Sequence, residues 1–507
     1  MEAKPYTGRG AYSISLSPAT TAGFIGRTER GPINEPVCVT SFADYCSYFG
    51  GHLADGAVSH SVHDYFLHGG RKAVIVRVVN RARRGTLDIP TDREPLRLQA
   101  RHPGRHEPLR VSIDYEEVER DSTRFNLIVQ RLGSSGSRLV EDQEFYPIIS
   151  VDDNDDRFIG TVLRDSRLIA LAGPVPATRP YAMPPERPGD PVRYIDLTTP
   201  GDDGDELTDY DIIGSNRDGT GLFAFRRGPR IDLLAIPLLP DRILGTTALV
   251  AAARFCEDQR AILIWDPPCT WQSADAAMFG ARQLGFSSSH AMTYFPRVRP
   301  RGAQVRYASG LPAAGAIAGM LAQRDRRGVF GRDEDGDYSL RATLTPVLDL
   351  SMLEAQRLAR HGINTFVRAT GGITRLIGRV TLGSGKAGQS AGSGLETRRL
   401  ESFILNSIEQ AVAGAPADPD RKAGLDRLQL QLRRFLFDLY QHGALKGDTP
   451  EQAFFLQSSQ VGDGPGIRFG IALRYPARFD EFMVALGGAD AGKAERVNDI
   501  VTTHSVA

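Results

Sequence analysis

Residues 231–268 read IDLLAIPLLPDRILGTTALVAAARFCEDQRAILIWDPP. Ile231 to Leu239 has the length and composition of a strand, Asp241 opens a helix reaching about Gln259, and Ala261 to Trp265 is the next strand. A third pair follows, a helix near Ala274 to Leu284 and a strand from His290 to Phe295. Strand and helix alternating at this spacing predict a parallel, doubly wound α/β sheet.

Upstream, the same texture begins at Thr20. Ala22 to Gly26, Pro36 to Val39 and Ala73 to Val79 read as strands, and the last, AVIVRVV, is rich in β-branched residues suited to a buried sheet position. Between them a helix starts at Ser41, boxed by Asp44, and stops before Gly50-Gly51; a second runs from about Ala57 to Leu67 and ends at Gly69-Gly70. Residues 81–196 differ: they are charged and poorly periodic, with candidate strands at Leu109 to Tyr115, Phe125 to Leu132 and Leu168 to Leu171. They read as a β-rich insertion into a core made of residues 20–80 and 197–382.

Downstream, a helix from Pro312 to Arg324 has proline in its first turn, and another begins at Ser351, boxed by Glu354, and stops at Gly362. The tract 383–395 is a Gly/Ser linker. Residues 396–488 then form an α+β domain. Leu400, Phe403, Ile404, Ile408, Ala411 and Val412 make one apolar helix stripe; Leu425, Leu428, Leu432, Phe435, Leu436 and Leu439 make a second. Ile467 to Leu473 is a strand. Short orphan strands, Tyr12 to Leu16 in arm 1–19 and Asp499 to Thr503 in arm 489–507, have no local mate.

The 507 residues carry 61 basic and 61 acidic side chains, so no long-range field gathers nucleic acid. The start lacks the apolar core of a signal peptide, and no apolar stretch has membrane-spanning length, so synthesis in the cytoplasm without membrane insertion is expected. Cys38, Cys46, Cys256 and Cys269 form no CxxC pair and are expected as buried free thiols.

Catalytic patterns fail on spacing. GSGK at 383–386 lacks the earlier glycine of a phosphate loop, and Lys386 is followed by Ala387. The acidic runs at Asp152 to Asp156, Asp202 to Asp205 and Asp333 to Asp337 lack calcium-loop spacing and read as solvated loops. His60, His63 and His68 miss the i, i+4 pairing of metal ligands and read as exposed helix histidines. Ser309 lacks the glycine of a nucleophile elbow and is expected to cap the helix from Pro312. No cofactor, metal or catalytic residue is expected.

Several stretches, in one order, resemble the contractile tail sheath family of phages and related injection systems. They are AGFIGRTERGPINEPV (22–37), YFLHGG (65–70) leading into VIVRV, IDLLAIP (231–237), ILIWDPP (262–268), AGMLAQRDRRGV (318–329), GINT (362–365) and HGALKGDTPEQAFF (442–455). The resemblance covers about Ala22 to Val79 and Leu197 to Leu486. It implies a subtilisin-like sheath core without a protease site, with 81–196 as a variable outer domain. It also implies hexameric rings that stack around an inner tube protein, contract, and meet baseplate and terminal cap proteins, as part of a phage tail or tail-like particle. The alternatives are a static baseplate or tail protein and, more remotely, a serine hydrolase of that fold.

The orphan strands suit such an assembly. Tyr12, Ser13, Ile14, Ser15 and Leu16, and Asp499, Ile500, Val501, Thr502 and Thr503, are expected to add to a sheet edge of a neighbouring copy. The expected recipient edge is Ile467, Phe469, Ile471 and Leu473. Arg421, Lys422, Arg427, Arg433 and Arg434 are candidates to face an acidic tube.

Overall fold

The computed structural model describes residues 20–53, 56–119, 122–133, 139–184, 187, 192–239, 242–301, 309–326, 338–369, 371–383, 394–413, 421–461, 464–485 and 494–497, with backbone alone at 413, 421–425, 460, 461, 464 and 465. The chain divides into two compact units. One takes residues up to 24, 60–74 and from 230 onward; the other takes 25–59 and 75–229.

The first strands are β1 (Ala22–Gly26), β2 (Pro36–Val39) and β3 (Ala73–Arg77). Every residue of β1 and β3 is buried, as a strand covered on both faces requires. Helix α1 (Phe42–Phe49) starts where the Ser41 hydroxyl accepts the Asp44 N–H at 3.0 Å, and α2 (Val58–Leu67) follows. Arg77, at the end of β3, is 1% exposed. Its guanidinium donates to the carbonyls of Gly31 at 2.7 Å and Pro103 at 2.8 Å. That fixes the loop before β2 and the loop after β5 to one side chain.

Residues 86–196 hold β4 (Thr86–Ile89), β5 (Leu96–Ala100), β6 (Leu109–Asp114), β7 (Arg124–Leu132), β8 (Val140–Ser150), the single turn α3 (Ile159–Val162), β9 (Ile169–Leu171) and β10 (Ile195–Asp196). They form two sheets, in the orders β4-β5-β9 and β10-β6-β7-β8. Leu87, Leu98, Val111, Leu127 and Ile149 belong to their shared core. The strands expected from sequence are β6, β7 and β9. The eleven-residue β8 is an end strand. Arg157 donates to the carbonyls of Pro147 at 2.8 Å and Ile148 at 3.2 Å and accepts the Ser150 N–H at 2.9 Å through its own carbonyl. This loop therefore occupies the outer hydrogen-bonding groups at one end of β8.

A single turn, α4 (Asp209–Ile213), closed by a Thr208/Asp211 capping box, precedes the remaining core. That core runs β11 (Leu233–Ala235), α5 (Thr246–Gln259), β12 (Ile262–Trp265), α6 (Ala274–Gln283), β13 (Ala291–Phe295), β14 (Val298–Pro300), α7 (Ala314–Arg326), β15 (Leu344–Pro346), α8 (Met352–Ala359), β16 (Ile363–Arg368) and β17 (Thr374–Ile377). The eight-stranded sheet has the order β17-β16-β13-β12-β11-β1-β3-β2. Pairing is parallel from β1 through β11, β12 and β13 to β16, and β17 is antiparallel. The α/β core of the sequence reading is this sheet. The Ser351/Glu354 box at α8 is also present.

Helix α7 packs on α2 through Gly315 and Gly319, four residues apart. A Cβ on Gly315 would lie 2.0 Å from the Ser61 carbonyl oxygen, and one on Gly319 2.4 Å from that of Tyr65. Only glycine permits this separation. The N-terminus of α7 is satisfied differently from expectation. Ser309 is exposed. Asp266, at the end of β12, accepts the N–H groups of Ala313 at 2.7 Å and Ala314 at 3.0 Å. A carboxylate on a neighbouring strand does the work of a local cap.

The C-terminal elements are α9 (Leu395–Ala413), α10 (Arg421–Gln441), the single turn α11 (Pro450–Ala453), β18 (Phe454–Val461), β19 (Gly464–Ile471), β20 (Asp480–Ala485) and β21 (Ala494–Arg496). The two helices bury Leu400, Ile404, Ile408, Leu428, Leu432, Phe435, Leu436 and Leu439 against Ile467, Phe469, Ile471, Phe482 and Val484 of the sheet. Among the described residues no helix is long and apolar enough to cross a membrane.

Candidate assembly surface

The C-terminal sheet has the order β18-β19-β20-β21. β19 is interior: it pairs with β18 from Phe454↔Ile471 to Val461↔Gly464 and with β20 from Gly466↔Ala485 to Ile471↔Asp480. The expected recipient edge is therefore corrected. Ile467, Phe469 and Ile471 are fully buried toward the helices, and Leu473, beyond the strand, is 4% exposed. Their alternation marks a core face and not an edge. On the other face Arg468 pairs with Glu481 across the ladder. The end strands are β18 and β21. In β18, Gln457 and Ser458 are exposed, and Ser458 accepts a bond from Gln429 of α10 at 2.8 Å. The sequence FFLQSSQV lacks alternation, which hid this strand.

The donor strands Tyr12 to Leu16 and Asp499 to Thr503 lie outside the described residues. Part of the segment expected to leave the body at 489 instead returns: Ala494–Arg496 is β21, antiparallel to β20.

Helix α10 turns Leu428, Leu432, Phe435, Leu436 and Leu439 inward. Arg427, Arg433 and Arg434 are exposed on the outward side, while Arg421 and Lys422 are placed only as backbone at the first turn. Leu430, 52% exposed, and Phe437, 38% exposed, share that outward side. They were missed although their spacing from Arg427 and Arg434 (three residues each) announces a second stripe. An exposed face mixing cations with large apolar groups is suited to a protein partner.

The root of the N-terminal segment is held by buried carboxylates. Thr21 donates its N–H to Asp232 at 2.8 Å, and the Thr20 hydroxyl bonds Asp325, which also pairs with Arg399 of α9. Burial pushes Asp232 up to about 6, against the opposing pull of the Thr21 N–H and Arg399.

Two of the acidic runs hold ion pairs. Asp155 pairs with Arg124, Asp202 with Arg83 and Asp203 with Arg105; Asp333 to Asp337 lie outside the described residues. His68 corrects the expectation of exposure. It is 2% exposed, with Nδ1–H donating to the Asp64 carbonyl at 2.8 Å and Nε2 accepting the Arg341 N–H at 3.1 Å. Burial lowers its pKa, as this neutral tautomer requires. Of the cysteines, Cys256 is buried, Cys46 and Cys269 are half-buried and Cys38 is exposed, because β2 is an end strand of the large sheet. Among the described residues no group of three or more His, Cys, Asp or Glu is placed to hold a metal ion.

No protein-family model matches the chain, and no curated protein matches it either. Solved structures do. A sheath tail protein from Listeria innocua superposes with a TM-score of 0.61 at 11% identity, covering 94% of this chain and 97% of that one. A sheath tail protein from Desulfitobacterium hafniense gives 0.54 at 13% identity, over 95% and 97%. The contracted PVC sheath complex of an extracellular contractile injection system gives 0.53 at 15%, over 94% and 96%. The likeness covers nearly the whole length of each partner. The chain has the fold of the contractile sheath proteins.

Proposed function

We propose that the chain is a sheath subunit that stacks as hexameric rings around an inner tube and contracts to drive the tube through a target envelope. The reading rests on one observation above others: the fold likeness to sheath proteins extends over nearly all of both chains. Baseplate and terminal cap proteins would meet the ends of the stack, and the particle would be a phage tail or a tail-like injector assembled after synthesis in the cytoplasm. The outward face of α10, with Arg427, Arg433, Arg434, Leu430 and Phe437, is the surface for the tube.

Copies join by strand donation. Tyr12 to Leu16 and Asp499 to Thr503 add to neighbouring sheets, and the receiving edge is β18, which among the described residues has a partner strand on one side only. A five-residue strand contributes a few kcal/mol per junction at about 1 kcal/mol per net hydrogen bond, repeated along an open helical array. Negative-stain imaging tests this directly. The full chain is expected to form tubes, and deletion of residues 1–18 to leave folded monomers. Tubes from the truncated chain would refute donation by the N-terminal segment; a full chain that stays monomeric at every concentration would refute the sheath reading itself.

A further inference from the structure

β21 is three residues long and rests on β20 by the pairs Val484↔Ala494, Met483↔Glu495 and Phe482↔Arg496. So short a ladder is a poor anchor. The side chains around it supply what the ladder lacks. Glu409 of α9 accepts the Ala494 N–H at 2.9 Å, and Arg260, at the end of α5, donates to the Ala494 carbonyl. The two readers are bonded to each other at 2.7 Å, and Arg230 holds the second Glu409 oxygen at 3.2 Å. Burial alone would raise the Glu409 carboxyl; Arg260, the Ala494 N–H and Arg230 outweigh it and hold it below the usual range. An ion pair thus binds both backbone groups of one residue and is indifferent to its side chain, except that Ala494 is 1% exposed and leaves room only for a small one.

Two residues on, the chemistry becomes selective. The Arg496 guanidinium lies 3.1 Å from Glu401 and 3.2 Å from Asp480, with its centre 5.5 Å above the Phe482 ring. Glu401 is itself buried and held by Arg398 at 3.0 Å. Two carboxylates and an aromatic face form an arginine site.

We propose that Glu409, Arg260, Glu401, Asp480 and Phe482 form a peptide-binding slot for an extended segment with a small residue followed two positions later by arginine. Its occupant is this chain's own Ala494–Arg496. The segment free to reach a neighbour then begins beyond Val497, and tension on it enters the body through α9. The same helix holds the N-terminal root through Arg399 and Asp325, ten residues or about 15 Å along the axis from Glu409. The slot stands on its own geometry; its role as an anchor rests on the proposed sheath function.

Hydrogen exchange on the unassembled full chain tests the slot independently of tube formation. Glu409→Ala and Arg496→Ala are each expected to speed exchange of the 494–497 amides at least tenfold, with β12 and β13 unchanged. A synthetic peptide spanning residues 492–498, added in excess to the wild-type chain, is expected to speed the same amides by displacement, and the same peptide with alanine for arginine is not. Because Arg496→Ala leaves every group of the slot in place, it carries the test even if Glu409→Ala fails to fold. Protection at 494–497 within twofold of wild type in Arg496→Ala, or no protection there in the wild type, overturns the proposal.

Discussion

The close approach of α7 to α2 sets a sharp test of the core. Gly315→Ala on α7 would put a Cβ 2.0 Å from the Ser61 carbonyl oxygen and 2.6 Å from its Cα and carbonyl carbon. Carbon–oxygen contacts settle at roughly 3.3–3.6 Å, so α2 and α7 would have to part by more than about 1 Å. The obstructing atoms are backbone and cannot rotate away. Overpacking of this kind costs about 1–3 kcal/mol, and this contact belongs at the upper end. Alanine's better helix propensity returns about 1 kcal/mol, leaving a net loss near 2 kcal/mol. The chain's two tryptophans, Trp265 and Trp271, stack edge-on at 5.5 Å in the same unit as this contact, so their fluorescence reports its unfolding. With urea slopes of about 1–3 kcal/mol per molar, the midpoint should fall by roughly 1 M. Gly173→Ala, where nothing lies within 4 Å of the new Cβ, should leave it unchanged. Equal midpoints for Gly315→Ala and wild type would refute the reasoning.

Two further outcomes follow from buried charge. Burial pushes Asp266 up to about 6, against the pull of Arg297 and the Ala313 and Ala314 N–H groups. A folded pKa above the unfolded one gives stability that is complete below about pH 4 and lost as pH rises through 6. Asp266→Asn should therefore flatten the decline in urea midpoint between pH 4 and 7, by at most roughly 3 kcal/mol; an unchanged slope would count against the assignment. Arg77→Met strands the Gly31 and Pro103 carbonyls and removes one of the three cations, beside Arg131 and Arg30, that favour the buried Glu107 carboxylate. It should cost about 3 kcal/mol and speed amide exchange around residues 98–106, and normal protection there would show that the guanidinium is dispensable.

The core was legible where local chemistry and periodicity agreed. AVIVRVV could be little other than a buried strand, and the Ser41 and Ser351 caps lie within four residues of the groups they satisfy. What escaped the sequence depends on partners far along the chain. The cap of α7 comes from Asp266, 47 residues before Ala313, so nearby Ser309 drew the assignment wrongly. β8, VEDQEFYPIIS, hides behind charge and a proline, because one end of its outer edge is closed by Arg157 and its acids pair with arginines on other segments. At the assembly surface, alternation in Ile467, Phe469 and Ile471 correctly announced a strand. Alternation tells which face a strand buries and says nothing of how many neighbours it has, so the recipient edge was placed one strand too far in. The outer stripe of α10 was half seen, its arginines noticed and its apolar members passed over.

A long strand at the rim of a sheet invites any extended segment to pair with it. Here the larger rim, β8, has part of its outer bonding row occupied from within the chain, while β18, among the described residues, has a partner strand on one side only. On the strand donation proposed above, a donated strand would find this end of β8 taken and would be turned toward β18. Fidelity of growth would on that proposal be written partly as a refusal, a single arginine denying the wrong dock.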